Sequence, residues 1–112
     1  MKKLFIVLFL LLSVVVFAGQ PILVAHYSNG VDEVQTAISP LDGNLYMIIN
    51  GRTQLVFVSD GMNEYGGFKW RNDSFGLLLF SADTSLLTIY EYSSGKMLTF
   101  RFAGAHTEIL PG

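Results

Sequence analysis

Two stretches of the chain share one pattern: an apolar run, a short polar break, and a second apolar run. The first is Leu45–Ser59, where Leu-Tyr-Met-Ile-Ile is followed by Asn50-Gly51 and then by Arg-Thr-Gln-Leu-Val-Phe-Val. Asn-Gly supplies positive φ at both central positions of a type I′ turn. Its flanks are β-branched or aromatic, which suits a pleated, half-buried surface. The second is Leu77–Tyr92, broken by Ser81-Ala82-Asp83-Thr84-Ser85. That loop is longer, and its Asp and Ser side chains can close it by bonding to backbone. Leu45 and Leu77 stand 32 residues apart, so the order strand, polar turn, strand recurs.

The remaining segments continue the pattern. Ile22–Tyr27 is a short apolar strand candidate ended by the turn cluster Ser28-Asn29-Gly30. Val31–Ile38 alternates loosely. Val31, Val34, Gln35 and Ile38 also fit helical spacing, but the segment has only eight residues and Pro40 closes it, so a strand is expected. Ser39–Asn44 is a turn, with Asp60–Glu64 and Asn72–Ser74 as further loops. In Gly67–Arg71, alternation places Phe68 and Trp70 on one face and Lys69 and Arg71 on the other.

Lys96–Phe102 alternates most regularly, with Leu98, Phe100 and Phe102 opposed to Met97, Thr99 and Arg101. A two-residue turn at Ser94-Gly95 pairs Leu98 with Glu91 and Phe100 with Ile89. Leu87, Ile89, Phe100 and Phe102 then form the core side, and Thr88, Tyr90, Tyr92, Thr99 and Arg101 the other. Gly104 is expected to interrupt this strand, with Thr107–Leu110 adding a short edge strand. Short strands with turns every ~8–12 residues predict an all-β, antiparallel meander of about 7–9 strands.

The first residues differ from the rest. Met1-Lys2-Lys3, the apolar run from Leu4 and the small residue Ala18 have the form of a signal peptide over residues 1–18. The rival reading is a retained membrane anchor. The run Leu4–Ala18 has 15 residues, below the ~20 that a spanning helix prefers. Cleavage after Ala18 leaves 94 of 112 residues as a single domain (19–112), with no membrane span, in the periplasm or outside the cell. The chain has no cysteine, so neither a lipid-modified cysteine nor a disulfide enters the picture. Without Lys2 and Lys3 there are five Lys or Arg against nine Asp or Glu, a formal charge of −4. That balance argues against nucleic acid or an anionic membrane as partner.

Several segments resemble the blades of WD40-like β-propellers. His26-Tyr27-Ser28-Asn29-Gly30-Val31 resembles the opening Gly-His of such a repeat, with Ala25 in the glycine's place. Ser39-Pro40-Leu41-Asp42-Gly43 resembles the Ser-Pro-Asp-Gly turn with one residue inserted. Thr88–Lys96 resembles the strand ending in Trp-Asp, with Tyr90 and Glu91 as replacements, followed by Ser-x-Gly-Lys. The resemblance covers most of Ala25–Ile109 and implies two propeller-like blades, with a small barrel or sandwich as the alternative. It also implies a binding scaffold more readily than an enzyme.

Candidate chemistry is sparse. His26 and His106 stand 80 residues apart, and no H-x-H or H-x-x-x-H spacing points to a metal. No serine lies in Gly-x-Ser-x-Gly, and there is no cysteine nucleophile. No cofactor is implied. The aromatics are more informative, since tyrosine and tryptophan combine a flat apolar body with a polar tip. Tyr90, Tyr92, Met97, Thr99 and Arg101 fall on one face, and aromatics with arginine are enriched at binding hot spots. The candidate ligand- or partner-binding residues are therefore Tyr65, Trp70, Tyr90, Tyr92 and Arg101, with Trp70 better suited to a core and Tyr90 and Tyr92 equally suited to covering a sheet face. The reading is an exported, non-catalytic interaction or binding module with a protein partner or its own copies. The alternatives are a self-assembling structural subunit, and a small hydrolase or carbohydrate-binding domain. Mass spectrometry of the protein from its native envelope is expected to find an N-terminus near Gly19; an intact Met1 in the membrane means an anchor instead.

Overall fold

Eight strands follow one another along the chain: β1 (Pro21–Ser28), β2 (Glu33–Ile38), β3 (Leu45–Ile49), β4 (Thr53–Met62), β5 (Phe68–Asn72), β6 (Gly76–Phe80), β7 (Leu86–Glu91) and β8 (Met97–Ile109). The computed structural model describes residues 21–64 and 66–109. The expected signal segment, Tyr65 and the last three residues lie outside them. Each strand pairs antiparallel with its sequence neighbours, and β8 returns to pair with β1, closing a barrel. The all-β meander thus takes its small-barrel form. The β4–β5 and β8–β1 pairings continue the same single sheet. Val31–Ile38 yields a strand, not a helical turn.

Both hairpins form where expected, for local reasons. Asn50 and Gly51 have φ of 51° and 73°, and the Arg52 amide donates to the Ile49 carbonyl at 3.0 Å. Arg52 is one residue more than a two-residue turn needs, so Ile49 pairs with Thr53. In the loop between β6 and β7, the Ser85 hydroxyl and amide and the Ser81 hydroxyl all donate to Asp83. These bonds hold the Asp83 carboxyl down at about 2. The Leu86 amide donates to the Ser81 hydroxyl, which seats the loop on the strand.

Four expectations are corrected. The β7–β8 register is Ile89↔Leu98 and Leu87↔Phe100, two residues from the expected one. The turn runs through four residues, with the Glu91 amide bonded to Lys96 and the Gly95 amide to Glu91. A slip of two leaves every side chain on its face. Next, β4 does not end before Asp60; it continues to Met62 through a bulge between Ser59 and Met62. Gly104 does not end β8 either. It adopts φ of 139° where the β1–β8 register shifts between His26 and Tyr27. The strand bends there and runs on to Ile109, so Thr107 pairs with Leu23 inside the closing seam instead of forming an edge. Finally, Phe102 is 48% exposed, not core: it lies beside that bend and covers the edge of the Tyr27 ring at 5.7 Å.

An eight-stranded barrel is just wide enough to be filled by side chains. Tyr27, Val34, Met47, Phe57, Leu78, Leu87, Ile89 and Phe100 fill this one. Phe75 stands at one end, edge-on to Phe57 at 5.9 Å, and lines a smaller cavity of about 230 Å³ with Ile89 and Phe100. The outer face of β1–β3 is also buried, at Ile22, Val24, Gln35, Ala37 and Ile48. Two covered faces are why β2 and β3 lack the clean alternation of β8. Phe100→Ala, at a site 1% exposed, is expected to cost about 3–5 kcal/mol in denaturant unfolding. Thr99→Ala, on the exposed outer wall, is expected to cost under ~1 kcal/mol.

Candidate functional site

The barrel's other end is open. Here β1, β3 and β5 begin, β2 and β6 end, and the 81–85 loop leans over the rim. Their inward residues line a pocket of about 350 Å³, including Leu23, Ala25, Tyr27, Ile38, Leu45, Phe68, Trp70 and Phe80. The strand period explains the composition: the residues that fill the barrel lower down recur every second position and rise above the filled layer. Leu23, Ile38 and Phe68 are 63%, 52% and 52% exposed, forming an apolar lip. Deeper in, the Tyr27 ring meets Phe80 edge-on at 5.8 Å.

Among the described residues the mouth has no charged lining residue. Its polar side chains are Tyr27, Thr36, Thr84 and Trp70. The Tyr27 hydroxyl donates to the Thr84 carbonyl at 2.8 Å, and burial pushes its pKa up. Thr84 itself sits at φ 61°, a left-handed conformation that a β-branched residue adopts only when the surroundings enforce it. The Asp83 bonds and the Tyr27 bond supply that enforcement. Tyr27 thus ties the loop between β6 and β7 to β1 across the mouth.

The five candidate residues fall in different places. Trp70 lines the mouth, half-buried, paired with Ser59 and Leu78. Tyr65 lies outside the described residues. Tyr90, Tyr92 and Arg101 stand on the outer wall of β7–β8, as the alternation implies. Tyr90 and Tyr92 meet edge-on at 5.6 Å, with Met97 opposite Tyr90. Arg101 pairs instead with Leu86, four residues along the strand from Tyr90. At ~3.3 Å per residue that is roughly 13 Å, so the arginine and the aromatic pair form no single cluster. Arg101 is exposed and makes no ion pair with a described residue.

Closure assembles a group that spacing did not show. His26 on β1 and His106 on β8 project from the outer wall, and His26 Nε2 lies 2.6 Å from His106 Nδ1. Gln35 Nε2 lies 3.2 Å from His26 Nδ1, and His106 Nε2 lies 2.9 Å from Glu108 Oε2. Burial first, then the neighbouring His106, lowers the pKa of His26; Glu33 and Glu108 act the other way. A shallow groove of about 340 Å³ runs beside His26, Glu33 and Gly104. Among the described residues no group of three or more His, Asp or Glu is placed to hold a metal. The pair was invisible in the sequence because only the β1–β8 register brings the chain's two ends together.

No protein-family model, curated protein or solved structure matches the chain.

Proposed function

We propose that the protein is an exported, non-catalytic binding module that takes a small, uncharged apolar ligand in the barrel mouth. The observation that carries this reading is the open apolar pocket itself. Its volume of about 350 Å³ falls within the ~300–1,000 Å³ typical of ligand sites, and barrel mouths are a recurrent place for them. Large apolar residues left exposed around a concavity mark a binding surface. The lack of lining charge among the described residues selects for a neutral aromatic or aliphatic group.

The competing readings draw less support. Catalysis at the histidines is disfavoured because both nitrogens of His26 are engaged, by Gln35 and His106. Neither is available to activate a serine. Self-assembly through sheet edges is disfavoured because closure gives every described strand two partners. A membrane-spanning barrel is disfavoured by strand length. Strands β5, β6 and β7 have 5, 5 and 6 residues, against the ~9–11 that a crossing strand needs. Lys69 and Arg71, both ion-paired with Asp60, and Arg101 add charge to the outer wall.

Trp70 is the sole tryptophan and lines the pocket, so it reports occupancy directly. Titration with N-phenylnaphthylamine, an uncharged naphthalene dye, is expected to quench Trp70 and brighten the dye. Leu23→Asp is expected to weaken binding at least ~10-fold by placing a charge at the lip. Tyr90→Ala with Arg101→Ala is expected to leave binding unchanged. Unquenched Trp70, or equal loss in both variants, refutes the mouth as the site.

A further inference from the structure

Below the apolar lip of the mouth stands one polar side chain that the fold itself does not use. Along β2, exposure falls from 52% at Ile38 on the lip to 5% at Thr36 and 1% at Val34 in the packed barrel. Thr36 is one inward position below the lip, roughly 7 Å along the strand at ~3.3 Å per residue. Its cross-strand neighbours are Ala25 on β1 and Met47 on β3. Thr36 and Ala25 both line the pocket, and the short alanine side chain leaves the space beside Thr36 clear. We propose that the Thr36 hydroxyl selects the ligand: an apolar body with one uncharged oxygen, a hydroxyl or a carbonyl, inserted oxygen first. The inference rests on the mouth being a ligand site and names which neutral molecules it takes.

The hydroxyl is buried, yet it is not spent. It makes no hydrogen bond with a described residue. The enclosed side-chain atoms without a partner among the described residues are Gln35 Oε1 and Gln54 Nε2. The Thr36 oxygen is not one of them, so it opens onto the pocket that Thr36 lines. The other hydroxyls of the mouth are engaged. Tyr27 donates to the Thr84 carbonyl at 2.8 Å, and Thr84 donates to the Asp83 carbonyl at 2.6 Å. The Trp70 indole N–H also lacks a described partner, but Trp70 is only half-buried and solvent reaches it.

The energetics favour a ligand with an oxygen. Before a ligand enters, solvent satisfies the Thr36 hydroxyl. A pure hydrocarbon expels that solvent and leaves the hydroxyl unpaired, which works against binding. A ligand oxygen takes the solvent's place. A hydroxyl both donates and accepts, so an alcohol, a phenol or a ketone pairs with it equally well. A carboxylate or ammonium does not fit, because no described lining residue carries a charge to offset its burial. Valine would fill the same wall with the same outline and no polar atom to satisfy. Depth then sets orientation: the oxygen goes to Thr36, and the apolar end stays among Leu23, Ile38 and Phe68.

The test uses the full chain and two probes of one shape, naphthalene and 2-naphthol, both uncharged at neutral pH. Each displaces bound N-phenylnaphthylamine, with the dye's own affinity measured for every variant. Thr36→Val is expected to weaken 2-naphthol about tenfold and to leave naphthalene unchanged or tighter. Thr36→Ser keeps the hydroxyl and is expected to keep the preference. In the wild-type complex, ring protons beside the 2-naphthol hydroxyl are expected to show nuclear Overhauser contacts to the Thr36 and Ala25 methyls. The far ring is expected to contact Leu23 and Ile38. Those contacts decide the matter if Thr36→Val does not fold. Naphthalene that binds, with both probes losing equally or neither losing in Thr36→Val, overturns the role of Thr36 and leaves the mouth standing. The reversed orientation overturns it as well. If neither probe nor the dye binds the wild type, the mouth itself is refuted and this inference falls with it.

Discussion

The β1–β8 pairing is the constraint on which the rest of this structure depends. Eight short strands in simple chain order would otherwise make an open meander with two free edges, and strongly twisted sheets of that kind expose unpaired backbone. Bringing Pro21–Ser28 against Arg101–Ile109 removes both edges at once. It also requires β8 to turn a corner, and the register shift between His26 and Tyr27 provides it. Gly104 takes the backbone conformation that the bend needs, which side chains on L-residues rarely adopt. With the cylinder closed, Phe57, Phe100, Met47 and Leu78 meet in its centre, each under 2% exposed.

The mouth follows from where the filling stops. Large side chains pack the middle of the barrel, and Phe75 stands at one end beside a smaller cavity. At the other end, inward positions continue past the last packed layer, leaving Leu23, Ile38 and Phe68 with no layer above them. Their exposure leaves a contiguous apolar lip around the concavity. The Tyr27–Thr84 bond keeps the rim in shape without lending the pocket any charge.

The parts of this architecture set by short-range chemistry were legible in the sequence. Asn50-Gly51 marks its hairpin because both residues tolerate positive φ, and Ser81–Ser85 marks the other because its side chains close the loop themselves. Alternation in Met97–Phe102 assigned the faces correctly even though the register was two residues off, because faces repeat with period two. What could not be read depends on distant pairing. Gly104 and Asp60-Gly61 look like breaks, yet in a closed sheet they serve as bulges. Phe102 looks like core, but the bend beside it places the ring at the rim. His26 and His106 look unrelated until the ends of the chain are paired. The alternation in Gly67–Arg71 put Phe68 and Trp70 on one face, and both line the mouth, where the sequence favoured a core position for Trp70. Arg101 and Tyr90 share their face as expected but not a common patch, since residue spacing along the strand separates them.

Closure within one chain is the central claim, and nuclear Overhauser contacts across the seam test it most directly. An equal mixture of isotope-labelled and unlabelled protein separates contacts within a molecule from contacts between copies. In a monomeric barrel, the paired residues Val24 and His106, and Ala25 and Ala105, give strong intramolecular cross-peaks. If those contacts are missing, or arise only between labelled and unlabelled copies, β1 and β8 are open edges that pair between chains, and the closed barrel with its mouth is wrong.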